Sequence, residues 1–593
     1  MLLTPYPRHL TLTDTAFPLP PNGFIRIENP ALLGEGQWAK DAFPYPYTLT
    51  AAPVEALLFL RVDAALGAQH YTLRIDAEGI TVTGGDAAGV FYGVCTLRQI
   101  LMQHQNSLPG LVIEDGPDYV QRGYMLDISR DKVPTLDTLF LLVDELAALK
   151  INQLQLYTEH TFAYAGHEAV WRDASPLTAE DILRLDAHCR QRHIALIPNQ
   201  NSLGHMERWL RHYPHLALVA DGFTNPAGDW KPPSTLNPLH PASFPLITEL
   251  YDHLLPNFTQ KTVNVGCDEP FELASQLPGQ DGRIYLDWLL KLYEDLTRRG
   301  YRMMFWGDII THHPDLVPEL PPDVTVLAWG YEAIDPLDKQ ARQFAAAGIP
   351  FYICPGTSSW NALVGRAQNA LDNLRNAAQI GLEYGAAGYL ITDWGDNGHW
   401  QPLVASYVGM VYGAAVSWGY TANRDLDVIA ALDTFIYNDA AHVMGEFTMT
   451  IGNLYRRIGP EYINGQVLTY ALQWPLETIH ARLAQVAGWS GGIPANVSPD
   501  TLRTVMGEID RLTALLPQAQ MQRMDAGLIL AEWAQAAALL RCGAAWLLYA
   551  QGAAPTLEAD IDALIETQKA LWLRRNRPGG LSDSLRRFDH LFA

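Results

Sequence analysis

Eight short apolar segments between residues 118 and 420 alternate with helical segments, and this alternation constrains the fold more than any other feature. In chain order the apolar segments are RGYMLDI, NQLQLY, IALIPN, TVNVGC, RMMFW, VTVLAW, PFYIC and GYLITD. The intervening segments have helical character, and RIYLDWLLKLYEDLTRRG ends in basic residues and a glycine, as helices often do. Eight strands that alternate with helices predict an α/β fold, the (β/α)8 or TIM barrel.

The chain on either side of these segments follows other patterns. Residues 1–117 contain strand-like segments and one helical segment, AAGVFYGVCTLRQILMQ, which predicts a small N-terminal α/β domain. After residue 420 the strand patterns stop, and alanine- and leucine-rich segments such as AEWAQAAALLRCGAAWLLYA predict an all-α region. We therefore predict three parts, an accessory domain at 1–117, a barrel at 118–420 and a helical domain at 421–593. We expect the helical domain to pack against the barrel.

Composition and charge limit the class of protein and its partners. The 593 residues are 48% hydrophobic and 18% charged, which is typical of a globular protein with large buried cores. The net charge is −23, from 41 basic and 64 acidic residues. Such a surface repels phosphate groups, so we expect neither nucleic acid nor an anionic membrane as a partner.

The sequence shows no pattern for targeting, membrane insertion or metal binding. Its start, MLLTPYPRHLTLTDTAF, lacks the basic residues and apolar run of a secretory signal, and no run of about 18 uncharged apolar residues predicts a membrane span. The cysteines have neither a CxxC motif nor the spacing of a zinc site, and they are Cys95, Cys189, Cys267, Cys354 and Cys542. We therefore expect a cytoplasmic protein without a disulfide framework, metal or cofactor.

Acidic, aromatic and basic residues follow the predicted barrel strands. In a (β/α)8 barrel the active site lies at the carboxyl ends of the strands. The fourth strand leads directly into Asp268 and Glu269. The other strands, from first to eighth, supply Arg122 and Asp127, Glu159 and His160, His205, Trp306 and Asp308, Trp329 and Tyr331, Trp360, and Asp393, Trp394, Asp396 and His399. Aromatic platforms, acids and a proton donor on one face predict a sugar-binding pocket.

Each of these residues also has a structural interpretation. Trp306 or Trp329 alone is more often part of a core than a platform for a sugar, and His205 could be a buried structural histidine. Arg122 could pair with Asp127 inside the barrel. The prediction of a pocket therefore depends on the combination of residues at one end of the barrel.

Two other chemistries fit the strand ends less well. A metal-dependent amidohydrolase would usually carry His-x-His on the first strand, and RGYMLDIS contains no histidine. A retaining glycosidase with two protein carboxylates needs them about 5 Å apart. In barrels of that type the second acid commonly ends the seventh strand, where CPGTSSW offers none.

Four motifs across residues 70–420 together resemble a known family. They are AAGVFYGVCTLRQIL, QRGYMLDISR, LGHMERW and VNVGCDEPFEL. Their order resembles glycoside hydrolase family 20, the β-N-acetylhexosaminidases, and the Gly-x-Asp-Glu of the last motif is the most specific. The helical domain lies beyond the resemblance.

The resemblance implies substrate-assisted catalysis, an exception to the two-carboxylate arrangement. The 2-acetamido oxygen of the substrate attacks C1 and forms an oxazolinium ion. Glu269 would protonate the leaving oxygen and then activate water, while Asp268 would accept the acetamido N–H and stabilise the developing positive charge. The absence of an acid after the seventh strand then agrees with the mechanism, because the substrate supplies the nucleophile.

The resemblance assigns further side chains to the sugar. Arg122 matches the arginine that binds the 3- and 4-hydroxyls, and Glu159 with His205 matches an acid–histidine pair behind the general acid. Asp396 stands where the family often has Glu and would bind O4 or O6. The pocket-wall tryptophans correspond to Trp306, Trp329 and Trp394.

Two positions depart from the family pattern. The second strand ends in YTEHTF, with Glu159 in place of the first Asp of a His-x-Thr-Asp-Asp pattern. After the seventh strand the family has a Tyr that hydrogen-bonds the acetamido oxygen, and simple alignment puts Trp360 there. Either the Trp360 indole N–H or the Tyr331 hydroxyl could donate that bond.

The sequence therefore predicts an exo-acting, retaining β-N-acetylhexosaminidase that hydrolyses terminal β-linked GlcNAc or GalNAc from a glycan. One alternative is an enzyme narrow for GalNAc, and another is a catalytically silent carbohydrate-binding relative. The proline-rich stretch KPPSTLNPLHPASFP between the third and fourth strands predicts either a pocket lid or the contact of a homodimer.

Overall fold

The computed structural model describes residues 1–224, 230–459, 462–485, 493 and 497–592. Within these ranges the chain forms an N-terminal mixed sheet with helices, a barrel of parallel strands and a C-terminal helical region. The predicted fold class is confirmed. The divisions predicted at residues 117 and 420 remain predictions; a strand ends at Asp115, the next begins at Gln121, and a helix ends at Trp418.

Seven of the described strands form the N-terminal sheet, in the order β1-β7-β5-β6-β4-β2-β3. They are β1 His9–Pro18, β2 Phe24–Ile27, β3 Thr48–Thr50, β4 Leu58–Val62, β5 Tyr71–Asp76, β6 Gly79–Gly84 and β7 Ser107–Asp115. Two helices, α1 Leu33–Lys40 and α2 Ala87–Gln103, cover one face. The side chain of Asp86 caps α2 by accepting a hydrogen bond from the Gly89 N–H (2.7 Å).

Eight parallel strands in the described residues form the barrel. They are β8 Gln121–Asp127, β9 Gln153–Tyr157, β10 Ala195–Ile197, β13 Thr262–Asn264, β14 Arg302–Trp306, β15 Thr325–Trp329, β16 Phe351–Cys354 and β17 Gly388–Asp393; a hairpin of β11 Phe223–Thr224 and β12 Trp230–Lys231 precedes β13. All eight predicted segments are barrel strands. The ladder runs β10-β9-β8-β17-β16-β15-β14-β13, so β10 and β13 must meet to close the barrel.

Polar residues close the barrel between its third and fourth strands. The Asn264 N–H donates to the Pro198 carbonyl (2.9 Å), and the Gln200 N–H donates to the Asn264 carbonyl (3.0 Å). Inside, the Gln155 Oε1 atom accepts hydrogen bonds from the side-chain amides of Asn199 (3.2 Å) and Asn264 (2.9 Å). These hydrogen bonds satisfy buried amide groups at the point where the regular strand ladder ends.

Helices surround the barrel and form the C-terminal region. The barrel helices are α3 Leu136–Ala148, α4 Glu168–Trp171, α5 Ala179–Arg190, α6 Glu207–His212, α7 Ser243–Leu254, α8 Phe271–Gln276, α9 Asp281–Arg298, α10 Asp308–Thr311, α11 Leu337–Ala347, α12 Ala367–Tyr384 and α13 Tyr407–Trp418. The C-terminal helices are α14 Tyr420–Asn423, α15 Val428–Ala431 with a π-helical turn at Leu432–Tyr437, α16 Met444–Gly452, α17 Val467–Ala471, α18 Leu476–Leu483, α19 Pro499–Thr513, α20 Ala526–Ala550, α21 Ile561–Arg575 and α22 Leu581–Leu585.

The C-terminal region packs against the barrel, as expected. The Thr135 N–H at the start of α3 donates to the Arg575 carbonyl (2.9 Å), and Trp400 stacks on Phe588 with ring centroids 4.1 Å apart. At its centre lies α20, which by length and composition alone is apolar enough to cross a membrane, whereas the sequence predicts no spanning segment. Of its most apolar stretch, 67% is buried inside the protein, as in a core helix.

Candidate active site

A pocket of about 370 Å³ opens at the carboxyl ends of the barrel strands. This volume suits one sugar ring with its substituents. Its walls are Arg130, His205, Asp268, Glu269, Trp306, Trp329, Tyr331, Glu332, Asp335, Trp360, Trp394, Asp396, Ile463 and Asn464. Of the side chains predicted for catalysis or for sugar contact, all except Arg122 and Glu159 line this pocket. The other strand-end residues of the sequence analysis do not line it; they are Asp127, His160, Asp308, Asp393 and His399.

The acidic pair lies on a strained turn after β13. Gly266 has a φ of 66°, which glycine adopts readily, whereas φ values of 67° at Cys267 and 46° at Glu269 are uncommon for residues with a side chain. The Cys267 N–H donates to Asn201 Oδ1 (3.0 Å), and the Glu269 N–H donates to Asp308 Oδ2 (3.0 Å). These two hydrogen bonds hold the turn in a conformation that aims both carboxylates at the pocket.

His205 lies between the two carboxylates. Its Nε2 atom is 3.4 Å from Asp268 Oδ2 and 3.4 Å from Glu269 Oε2, while the Asn201 amide donates to Asp268 Oδ1 (2.9 Å). Asp268 is 6% exposed, whereas the Glu269 side chain is 36% exposed. The two acids therefore have different environments, one buried and hydrogen-bonded and the other facing the open pocket.

The charges around His205 shift the pKa values of the buried groups. Burial alone would raise the pKa of Asp268, but His205, Arg130 and the Asn201 amide outweigh burial and lower this pKa. Burial alone would lower the pKa of His205, but Asp268 and Glu269 raise it well above its usual value. Asp268 is thus stabilised as an anion beside a histidine that favours its protonated form.

Arg130 and Glu159 lie directly behind His205. The Arg130 Nε atom is 3.2 Å from Glu159 Oε1, its Nη1 is 3.2 Å from Asp127 Oδ2, and its Nη2 is 3.4 Å from His205 Nδ1. Burial raises the pKa of Glu159 to about 7, although Arg130 opposes this shift. Glu159 does not line the pocket and instead contacts Arg130 from behind it.

Aromatic rings form about half of the remaining wall. Trp329 stacks on Tyr331 with centroids 5.0 Å apart, and Trp360 meets Tyr331 edge-on at 5.1 Å. Trp306 and Trp394 are 5.9 Å apart. Together they offer the flat apolar surfaces on which a sugar ring stacks.

The structure separates the two predicted donors to the acetamido oxygen. The Trp360 indole N–H already donates to Asn464 Oδ1 (2.6 Å). Among the described residues the Tyr331 hydroxyl donates to no carbonyl or carboxylate, and its ring lies edge-on to Trp394. Of the two side chains, Tyr331 is thus the one whose hydrogen is not already donated to a carbonyl or carboxylate of the described residues.

The prediction that Arg122 binds the sugar is wrong. Arg122 is the second residue of β8 and lies at the amino end of the barrel, fully buried. It donates to the Lys150 carbonyl (2.9 Å) and the Tyr119 carbonyl (2.6 Å) and stacks near Trp418 (4.9 Å). It therefore pairs with the backbone and not with Asp127.

Arg130 is the arginine of the pocket, and the sequence analysis missed it. It follows the carboxyl end of β8 by three residues, within the same QRGYMLDISR motif. The rule that active-site residues follow the carboxyl ends of strands would have selected Arg130, because Arg122 precedes most of the strand.

The C-terminal region also contributes to the pocket, which the sequence analysis did not expect. Ile463 and Asn464 line it, and the Asn464 N–H donates to Glu332 Oε1 (2.8 Å). Arg366 holds Glu332 through both carboxylate oxygens (2.6 and 2.9 Å). Both residues lie outside the four family motifs, and no sequence feature pointed to them.

The described residues contain no group of three or more His, Cys, Asp or Glu side chains arranged to hold a metal ion. All five cysteines are buried as free thiols.

Comparison with protein families identifies two regions of the chain. Residues 1–116 match the family model for glycosyl hydrolase family 20, domain 2, and residues 119–381 match the catalytic domain of the same family. Together these matches cover more than half of the chain.

Two curated relatives are similar over parts of the chain. A lacto-N-biosidase from Bifidobacterium bifidum is 30% identical over 222 residues, which are 37% of this chain and 19% of the relative. A beta-hexosaminidase from Porphyromonas gingivalis is 24% identical over 373 residues, which span 55% of this chain and 47% of the relative. The chain thus spans about half or less of the length of these relatives.

Solved structures share the fold at low sequence identity. The exo β-N-acetylglucosaminidase from Vibrio harveyi has a TM-score of 0.60 at 17% identity, over 76% of this chain and 77% of that one. The Flavobacterium johnsoniae chitobiase has a TM-score of 0.57 at 17% identity, over 98% of each chain. With its accessory sheet, closed barrel and acidic pair after the fourth barrel strand, the chain belongs to glycoside hydrolase family 20.

Proposed function

We propose that the protein is an exo-acting, retaining β-N-acetylhexosaminidase that removes terminal β-linked GlcNAc or GalNAc from a glycan. The observation that carries this proposal is the link from buried Asp268 through His205 to half-exposed Glu269, beside a pocket walled by aromatic rings. One carboxylate is held as an anion, and the other is open to the leaving group and to water.

Glycoside cleavage begins with the substrate's own acetamido group. Its oxygen attacks C1 while Glu269 donates a proton to the glycosidic oxygen, so that the aglycone leaves as an alcohol. Asp268 accepts the acetamido N–H and stabilises the positive charge of the oxazolinium ring. The lowered pKa of Asp268 supports this role, because only the carboxylate form can do both.

The second step returns the sugar to its original configuration. Glu269, now a carboxylate, removes a proton from water, and the resulting oxygen attacks C1 from the face that the aglycone left. Two inversions give net retention. His205, 3.4 Å from Glu269 Oε2, lies close enough to assist both proton movements.

The remaining walls would orient the sugar. Arg130 and Asp396 are the charged groups suited to the ring hydroxyls, and the two are electrostatically coupled in the folded protein. Trp306 and Trp394 would stack against the ring and the acetamido methyl group. Bound in this way, a single terminal residue fills the pocket, which supports exo action.

The direct test is Glu269→Gln assayed on an aryl β-N-acetylglucosaminide. We expect kcat to fall at least about 100-fold, because a general acid–base group typically contributes about 10²- to 10⁴-fold. Exposed Glu55 offers a matched control, and Glu55→Gln should keep the parental rate. A Glu269→Gln enzyme within about tenfold of the parent would sink the proposal.

Assays of the parent enzyme on the aryl β-GlcNAc and the aryl β-GalNAc separate the two rival functions. An enzyme narrow for GalNAc would hydrolyse the aryl β-GalNAc and leave the aryl β-GlcNAc intact. A silent carbohydrate-binding relative would bind N-acetylhexosamine with no turnover of either substrate. Asp268 and Glu269 disfavour the silent relative, since binding alone requires no proton donor at the glycosidic oxygen.

A further inference from the structure

A second cavity of about 500 Å³ adjoins the active-site pocket, and Arg130 and His205 line both. We call it the arginine cavity, defined by Arg208, Arg211, Arg586 and Arg587 together with Arg130. Two of these arginines come from α6 after the third barrel strand, and two follow α22 at the end of the chain. Barrel and C-terminal helices thus build the cavity jointly.

The walls of the arginine cavity differ in kind from those of the sugar pocket. No tryptophan, tyrosine or phenylalanine among the described residues lines it, whereas the pocket has four tryptophans and a tyrosine. A second sugar ring would usually stack on an aromatic platform. The cavity therefore suits a polar group better than another sugar.

The charge of the arginine cavity is opposite in sign to that of the whole chain. Its five arginines face four carboxylates, those of Asp131, Glu159, Glu207 and Asp583, within a chain of net charge −23. Ion pairs occupy several of these groups, because Asp583 pairs with Arg208 and with Arg586, and Glu159 pairs with Arg130. An excess of positive charge remains after the pairs are formed.

Arg211 and Arg587 are the arginines of the cavity outside these ion pairs, and Asp131, Asp396 and Asp583 act on Arg587 only at longer range. In the described chain neither forms an ion pair with a carboxylate. Arg587 is half-buried, and its Nη1 donates to the uncharged Gln473 Oε1 (3.1 Å). Its side chain runs over Gly398, where an added Cβ would come within 2.7 Å of the Arg587 Cδ atom. Arg587 is thus held in place with donors left over.

His160 is a second sign of an unfilled site. It lines the arginine cavity at 4% exposure, and its Nδ1 atom has no hydrogen-bond partner in the described residues. Burial, together with Arg208 and Arg211, lowers the pKa of His160 to about 3. The imidazole is therefore neutral, chiefly because it is buried, and the nearby arginines add to the shift.

We propose that the arginine cavity binds an anionic group, a sulfate, phosphate or carboxylate, carried by the glycan on the sugar held in the pocket. Arg130 and His205 face both spaces, so a substituent on a ring hydroxyl near Arg130 would point toward the cavity. Arg211, Arg587 and His160 would donate charge-assisted hydrogen bonds to its oxygens. This inference rests on the proposed function, because the cavity selects substrates only if the pocket holds a sugar.

The test compares aryl β-N-acetylglucosaminides that are unsubstituted or sulfated at O3, O4 or O6. We expect the parent to prefer one sulfated ester over the unsubstituted sugar in kcat/KM. In Arg211→Gln and Arg587→Gln this preference should fall at least about tenfold, since a hydrogen bond to a charged group is worth about 1.5–3 kcal/mol. Exposed Arg184 on α5 provides the control, and Arg184→Gln should keep the preference.

The outcomes distinguish this inference from the proposed function. If the enzyme hydrolyses the unsubstituted sugar and prefers no sulfated ester, the inference is wrong and the proposed function stands. No hydrolysis of any of these glycosides, unsubstituted or sulfated, overturns both. Calorimetric titration with inorganic sulfate covers the other source of the anion. If sulfate binds and both variants lose it, yet no ester is preferred, the cavity holds a free anion and the inference is wrong.

Discussion

The substitutions Tyr331→Phe and Trp360→Phe test which side chain donates to the acetamido oxygen. Both residues line the pocket, and their rings touch edge-on at 5.1 Å. Tyr331→Phe removes one hydroxyl and leaves the stacking on Trp329 intact. Trp360→Phe removes an indole N–H that already donates to Asn464 Oδ1 (2.6 Å).

The expected magnitudes differ because the two donors do different work. A donor to an atom that develops charge in the transition state is worth about 2.7–4 kcal/mol, or about 10²- to 10³-fold in kcat. We therefore expect Tyr331→Phe to lower kcat by about this factor. A neutral structural hydrogen bond is worth about 1 kcal/mol. Trp360→Phe should accordingly lose stability and change kcat by less than about tenfold.

Both variants are assayed for kcat and KM on an aryl β-N-acetylglucosaminide, and urea unfolding gives their stability. If the m-value and midpoint of Tyr331→Phe equal those of the parent, its loss of kcat comes from catalysis and not from unfolding. A larger loss of kcat for Trp360→Phe than for Tyr331→Phe would refute the reasoning, because the indole would then be the donor.

Two further predictions concern the arginines and Asp308. Arg130→Gln should lower kcat/KM about 10- to 100-fold with a modest loss of stability. Arg122→Gln should keep the parental kcat and lower the free energy of unfolding by about 1–3 kcal/mol for each carbonyl left without a donor. The reverse pattern would show that Arg122 belongs to the site. Burial, followed by the charge of Asp268, raises the pKa of Asp308 to about 8. In the unfolded chain this carboxyl ionises near pH 4, so the parent loses stability as pH rises from about 4 to 8. The Tm of Asp308→Asn minus that of the parent should therefore be larger at pH 8 than at pH 5. An equal Tm difference at the two pH values would contradict the raised pKa of Asp308.

The barrel could be predicted from the sequence because its strands are short apolar runs that alternate with amphipathic helices. Periodicity reports burial, and every barrel strand is covered on both faces. The closure between β10 and β13 could not be read in this way. It depends on side-chain amides of Gln155, Asn199 and Asn264, which look like ordinary polar residues until the strands are placed side by side.

The candidate site could be predicted where its residues directly follow a strand. Trp306 is the last residue of β14, and Asp268 and Glu269 come within five residues of the end of β13. Arg122 was misplaced because a motif contains two arginines at opposite ends of one strand, and only the direction of the strand separates them. Asn464 could not be found, because a contact across more than a hundred residues leaves no periodic signal.

Participation of the acetamido group is the central claim, and one rate ratio tests it most directly. The measurement compares kcat/KM for an aryl β-N-acetylglucosaminide with that for the aryl β-glucoside, which lacks the nucleophile. Well-oriented intramolecular groups reach effective molarities of about 10⁵ M or more, so we predict that the glucoside reacts at least about 10³-fold more slowly. Comparable rates on the two substrates would contradict the account, because the pocket would then supply its own nucleophile.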